Sequence, residues 1–93
     1  MENVEERVLD IRVRYDDAIR KIAEYRTQID VLHQVEKTLK DDLKAGRIER
    51  EEYNVKLTET QIATREVNEA IRILNKQIQN ERKEQMELEG SLV

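Results

Sequence analysis

At 93 residues the chain can hold at most one small domain. Charged residues make up 41% of it and aromatics 3%, with three Tyr and no Phe, Trp, Pro or Cys. This argues against a compact globular core and excludes disulfides and Cys-based zinc sites. The net charge of −4 is evenly spread: residues 1–46 carry 9 basic and 11 acidic side chains, and residues 47–93 carry 8 and 10. Neither half is a basic arm of the kind that grips nucleic-acid phosphates.

Without Pro nothing forbids long helices, and one seam runs along the whole chain. The positions 1, 8, 15 and onward to 92, with 4, 11, 18 and onward to 88, form a strict seven-residue repeat of 27 slots, 20 of them apolar. At 38% hydrophobic content chance would supply about ten. The first run is Val4, Val8, Ile11, Tyr15, Ala18, Ile22, Tyr25, Ile29, Leu32, Leu39 and Leu43. The second begins at Tyr53 and Leu57, weakens at Thr60 and Thr64, returns as Val67, Ile71, Leu74 and Ile78, and ends weakly with Leu88 and Leu92. A heptad repeat of this kind predicts helices wound around helices. Carboxylates four residues ahead of cations, at Asp16–Arg20, Asp17–Lys21, Glu36–Lys40 and Glu52–Lys56, support the helical faces by roughly 0.2–0.5 kcal/mol per pair.

Between the runs Gly46 can take the left-handed conformation that ends a helix, with Lys40 and Lys44 in the last turn where positive charge meets the helix dipole. With Glu49 as N-cap, Ile48 and Tyr53 have hydrophobic-staple spacing, and Glu51 and Glu52 put negative charge in the first turn of a second helix. Glu49 is itself a poor capping residue. The spacing therefore predicts an all-α antiparallel two-helix coiled-coil hairpin, helices over about residues 2–45 and 49–90, turning near Gly46–Ile48. In such a pair, residues whose numbers sum to 96 face each other: Leu43 with Tyr53, Leu39 with Leu57, Ile29 with Val67, Ile22 with Leu74, Val8 with Leu88. The alternative, one continuous helix in a parallel coiled coil, has the same heptad phase; the turn signals favour the hairpin.

Apolar residues also lie off the seam. Ile48, Val55 and Ile62 stand opposite it, Ile19, Val31 and Val35 lie off it in the first helix, and Ala63, Ala70 and Ile73 flank it in the second. A two-helix coiled coil needs only a narrow stripe, so a wider one predicts further neighbours, most simply a second copy near the turn. Ile48, Val55 and Ile62 are the candidate oligomer contacts.

Polar candidates are weaker. His33, the only histidine, has Ile29, Asp30, Glu36 and Lys37 as its helical neighbours, too few donors for a metal site. Asp41, Asp42, Glu49, Glu51 and Glu52 crowd the turn but lack calcium-loop spacing, which makes them solvated helix ends. Glu36 falls on the seam opposite Thr60, as Leu32 does opposite Thr64. Either this is a polar layer that specifies register, or Glu36 bends to solvent and Val35 takes its place. Tyr15, Tyr25 and Tyr53 pack in the core with their hydroxyls at its rim. Nucleophile, phosphate-cradling and metal motifs are missing, so the chain is expected to be no enzyme and to hold no catalytic, cofactor-binding or metal site. No apolar run approaches the ~20 residues of a membrane span, and the acidic start Met-Glu-Asn-Val-Glu-Glu is no secretory signal.

Two stretches resemble a known family. They are Leu39-Lys-Asp-Asp-Leu-Lys-Ala-Gly-Arg-Ile-Glu-Arg-Glu-Glu-Tyr-Asn54 and Ile73-Leu-Asn-Lys-Gln-Ile-Gln-Asn-Glu-Arg-Lys-Glu-Gln-Met-Glu-Leu-Glu-Gly-Ser-Leu92. Together they resemble the amino-terminal helical region of phage and prophage tail tape-measure proteins, in which a leucine-rich helix enters a Gly-x-Ile-x-x-Glu-Glu-Tyr turn. The turn, and the segment from Gln79-Asn80 to Gly90-Ser91, carry most of the likeness. The resemblance implies a structural role in tail assembly and length determination, with tail-tube or tail-assembly proteins as partners. It also implies a place in the virion tail, or in the bacterial cytoplasm as a prophage product. The chain is far shorter than a whole tape measure and stops at Val93 while its repeat is under way; it is expected to be a single coiled-coil segment of a longer protein. In the family turn a Thr or Ser often stands where this chain has Glu49. The alternative function is a free-standing helical adaptor or regulator that binds a partner helix; the charge balance disfavours a nucleic-acid-binding bundle.

Overall fold

The structure, a computed structural model, describes residues 4–90. Helix α1 spans Val4–Lys44 and helix α2 spans Arg50–Gly90, and they form a helical hairpin with no strand among the described residues. The continuous-helix alternative is thereby set aside. Both helices open on acidic residues, Glu5 and Glu6 in α1 and Glu51 and Glu52 in α2, and α1 closes on Lys44, the charge order that suits the helix dipole. The helices are slightly shorter than the expected spans. Ala45 belongs to the turn, and Glu49 precedes α2 as its cap. The expected start at residue 2, and Leu92 of the seam, lie outside the described residues.

Gly46 is the pivot of the turn. Its φ is +73°, and no other described residue has a positive φ. The Gly46 amide donates to the Leu43 carbonyl at 3.2 Å, and the Arg47 amide reaches back to the Asp42 carbonyl at 2.9 Å. These are the two bonds of the Schellman motif, which satisfies carbonyls that a helix end leaves open. A hydrophobic contact often joins the two residues at the ends of the longer bond. Here the same two residues form an ion pair instead, Arg47 Nη1 to Asp42 Oδ1 at 2.7 Å. On the far side, the Glu49 carbonyl accepts the Tyr53 amide at 2.9 Å. Glu49 thus holds the N-cap position through its backbone, with Ile48 and Tyr53, both half-buried, on either side of it. Gly46 and Arg50, the adjacent failures of the seam, fall in this turn or at its edge and are exposed.

Every seam position from Val4 to Leu88 apart from those two is buried or half-buried. The chain divides into two compact units, one made of its first and last stretches and the other of Tyr25–Ala70. In the first, Val8, Ile11, Ala18 and Ile22 of α1 are buried, Ile11 completely. Val4, Tyr15, Ile71, Leu74, Ile78 and Leu88 are half-buried. Arg7 meets Glu84 at 3.1 Å and Arg12 meets Glu89 at 3.6 Å. These pairs straddle the register in which residue numbers sum to 96.

In the unit around the turn, Leu39 is buried and Tyr25, Ile29, Leu32, Leu43, Tyr53, Leu57 and Val67 are half-buried. The weak stretch of the seam is packed all the same: Thr60 is only 8% exposed. Its hydroxyl donates to the Lys56 carbonyl at 2.7 Å, and that of Thr64 to the Thr60 carbonyl at 2.9 Å. With the hydroxyl turned into its own helix, a threonine offers the partner helix a branched apolar surface. Neither reading of Glu36 survives intact. Thr60 gives its proton to its own backbone, so it donates nothing across the pair, and Val35 stays 39% exposed while Glu36 is half-buried. Of the expected i,i+4 pairs, Glu52–Lys56 forms at 3.1 Å, whereas Arg20 pairs with Asp17.

Replacing Gly46 tests the pivot. A Cβ there would meet nothing within 4 Å, so only the backbone conformation resists a side chain. Gly46→Ala is expected to lower the unfolding free energy by about 1–2 kcal/mol, and Gly46→Asn by less. Urea titration followed by circular dichroism measures both; an unchanged midpoint for Gly46→Ala would show that the left-handed turn is dispensable.

Candidate functional site

The features that can engage another molecule are outward-facing. In the Tyr25–Ala70 unit, α2 carries Val55 and Ile62 seven residues apart, opposite the seam, and Ile48 of the turn stands seven residues before Val55. Val55 is 54% and Ile62 47% exposed, while Ile48 is half-buried beside the turn. Carboxylates surround Val55: Glu49, Glu51, Glu52 and Glu59 share its surface patch, with Lys56 as the one cation. Lys56 is engaged by Glu52, and Glu49, Glu51 and Glu59 make no ion pair among the described residues. The ridge is therefore apolar at its crest and acidic at its borders.

The same unit has a groove of the opposite character. His33, Lys37 and Lys40 of α1 stand over Tyr53 and Leu57 of α2, with Glu36 and Gln61 completing the lining. Lys37 and Lys40 make no ion pair among the described residues; the expected Glu36–Lys40 pair does not form. Two lysines against one carboxylate leave the groove basic, and Tyr53 and Leu57 give it an apolar floor. Elsewhere in this unit Val31 and Val35 are exposed, and Ala63 and Ala70 are half-buried.

The acidic residues of the turn are partly neutralised, Asp42 by Arg47 and Glu52 by Lys56. Among the described residues no group of three or more His, Cys, Asp or Glu side chains is placed to hold a metal ion. His33 is exposed at the groove's edge. All three tyrosines are half-buried. Tyr15 accepts a hydrogen bond from Arg82 Nη2 at 3.2 Å, and the Arg82 guanidinium lies 5.9 Å from the ring centre, within cation–π range.

In the unit built from the chain's two ends the exposed large apolar side chains among the described residues are Leu9, Val13, Ile19, Ile73 and Met86. Sequence reasoning singled out Ile19 and Ile73 and passed over Leu9, Val13 and Met86. The signal was present, since all three fall outside the seam, but scattered single positions do not form a stripe. Glu81 was also overlooked as more than a seam failure. It is 6% exposed, on the seam opposite Tyr15. Its Oε1 accepts from Gln77 Nε2 at 3.2 Å and lies 3.8 Å from Arg14 Nε, while the buried Oε2 has no hydrogen-bond partner. A buried carboxylate oxygen without a donor is destabilising, and an apolar side chain of similar size is often better tolerated.

Glu81→Leu is accordingly expected to raise the unfolding free energy by about 1–2 kcal/mol, seen as a higher thermal midpoint. A lower midpoint would mean that the contact with Arg14 outweighs the burial of the carboxylate.

No family model matches the chain, and no curated protein or solved structure matches it.

Proposed function

We propose that this chain is a non-enzymatic structural hairpin that works by self-association, as a coiled-coil segment of a phage or prophage tail tape-measure protein. The single observation that carries self-association is the row Ile48, Val55 and Ile62, placed opposite the seam with Val55 and Ile62 about half exposed. A hairpin of two helices shields one stripe, and apolar residues on the opposite face gain only from a further neighbour. A structural role also suits what the surface offers, an apolar-crested ridge and a groove floored by Tyr53 and Leu57. Among the described residues no helix is long and apolar enough to cross a membrane.

The tail assignment is supported by the residues of the turn and the last stretch. The Gly46 turn, followed by Ile48, Glu51, Glu52 and Tyr53, is the part of the family resemblance with a definite structural job: it reverses the chain. In this reading the segment joins its own copies in the tail and presents charged faces to tail-tube and assembly proteins.

Light scattering at micromolar concentration is expected to give a mass above one chain, and Val55→Lys with Ile62→Lys to reduce it to one. A single-chain mass for the unaltered protein would remove the self-association reading. In-frame deletion of codons 4–90 from the gene that carries them is expected to shorten tails in electron micrographs. Unchanged tail length would refute the tape-measure role and favour an adaptor that binds a partner helix.

A further inference from the structure

We propose that the acid-bordered ridge of α2 seats in the basic groove of a second copy, so that self-association joins unlike surfaces rather than ridge to ridge or groove to groove. The inference rests on the self-association reading above and adds the two surfaces that meet. Both belong to the Tyr25–Ala70 unit. The ridge presents Val55 at its crest, with Glu51 and Glu59 one helical turn to either side of it in sequence. The groove presents Tyr53 and Leu57 below Lys37 and Lys40. Apolar crest meets apolar floor, and the carboxylate borders meet lysines that have no ion pair of their own.

The alternative, like surface against like surface, places like charge on like charge. Two ridges packed against each other about a two-fold axis would bring Glu51 and Glu59 of one copy to the same residues of the other. Like charges brought together across an interface are unfavourable and steer the contact elsewhere. Two grooves face to face would confront lysines with lysines. Ridge in groove is the pairing of these surfaces that opposes unlike charges. Glu36 in the groove lining works against it, one carboxylate against two lysines. Tyr53 and Leu57 stand on the seam side of α2 and Val55 stands opposite the seam, so a copy cannot fill its own groove with its own ridge. Each copy then offers one ridge and one groove, and the contact either closes reciprocally in a pair or continues from copy to copy until a ring closes or a filament grows.

Charge reversal on the full chain tests this, with sedimentation velocity as the readout and circular dichroism as a check on folding. Glu51, Glu59, Lys37 and Lys40 are all exposed, so the reversals leave the seam untouched. The ridge variant Glu51→Lys/Glu59→Lys and the groove variant Lys37→Glu/Lys40→Glu are each expected to self-associate at least tenfold more weakly than the unaltered chain. Mixed at equal concentration they are expected to regain association as a one-to-one copolymer, because the reversed ridge fits the reversed groove. Molar salt is expected to weaken the unaltered assembly. Should either reversal lose helicity, Glu59→Gln and Lys40→Gln replace the pairs, with the same expected direction. A groove variant that associates as well as the unaltered chain would overturn the inference and leave self-association standing. So would a mixture that stays dissociated. A single-chain mass for the unaltered protein would remove both.

Discussion

The architecture depends on one backbone conformation. At Gly46 the chain takes a φ of +73°, which any residue with a Cβ adopts only under strain. The two bonds that follow, from Gly46 to Leu43 and from Arg47 to Asp42, stop α1 and point the chain back. The seven-residue repeat keeps the same phase before and after the turn, so the reversal sets which residues meet. Because the turn is centred near residue 48, the apolar positions of the two helices oppose each other without a shift. A turn displaced by one residue would set seam positions of one helix against off-seam positions of the other. The Arg47–Asp42 pair, at 2.7 Å, braces the place where this register is decided.

The second constraint is geometric. Two helices in contact can cover only the stripe between them, and a side chain on that stripe keeps a flank open to water. Hence most of the seam is half-buried, and among the described residues Ile11 alone has no exposed surface. Such a pair gains little free energy per residue from burial, since the hydrophobic term scales with the apolar area removed from water. The remaining apolar residues stand on faces that the pair leaves bare. This is the physical link between the fold and the proposed behaviour: what makes the hairpin shallow also leaves Val55 and Ile62 in need of cover.

What was legible from the residues was what repeats. The seam, the absence of Pro and the glycine at its mid-chain gap led to two helices and a turn with ends displaced by about one residue, because heptad spacing and a left-handed glycine are local properties. Less legible was how individual polar residues behave on the seam. Thr60 and Thr64 looked like a weak stretch, yet each turns its hydroxyl to a carbonyl of its own helix. Spacing cannot tell whether a threonine will do that or reach across. Nor could it separate Asp16 from Asp17 as the partner of Arg20, since i+3 and i+4 neighbours lie on the same face. The ridge was visible as a seven-residue spacing of Ile48, Val55 and Ile62. The groove was not, because it combines Lys37 and Lys40 with Tyr53 and Leu57 across the turn, and only the register brings them together.

The seam's two buried or half-buried carboxylates, Glu36 and Glu81, differ in their surroundings. Glu81 is almost covered, and one of its oxygens has no partner; Arg14 and Gln77 reach only the other. Glu36 is half-buried and lines the basic groove beside Lys37 and Lys40. A carboxylate that opens onto a cationic groove retains solvent and positive charge around it, so its presence on the seam is inexpensive. The same group inside the pair has neither, and leucine would serve the packing better. In an isolated hairpin Glu81 is thus hard to justify by stability alone. Its value would have to lie in specificity: a charge on the seam penalises slipped or parallel pairings in which it would meet only apolar neighbours. Opposite Tyr15, with Arg14 next to it in sequence and within 3.8 Å of its oxygen, the carboxylate has a cation at its layer; Arg7 and Lys21, one heptad to either side of Arg14, would supply one in a register slipped by seven residues, so the penalty falls on pairings out of heptad phase.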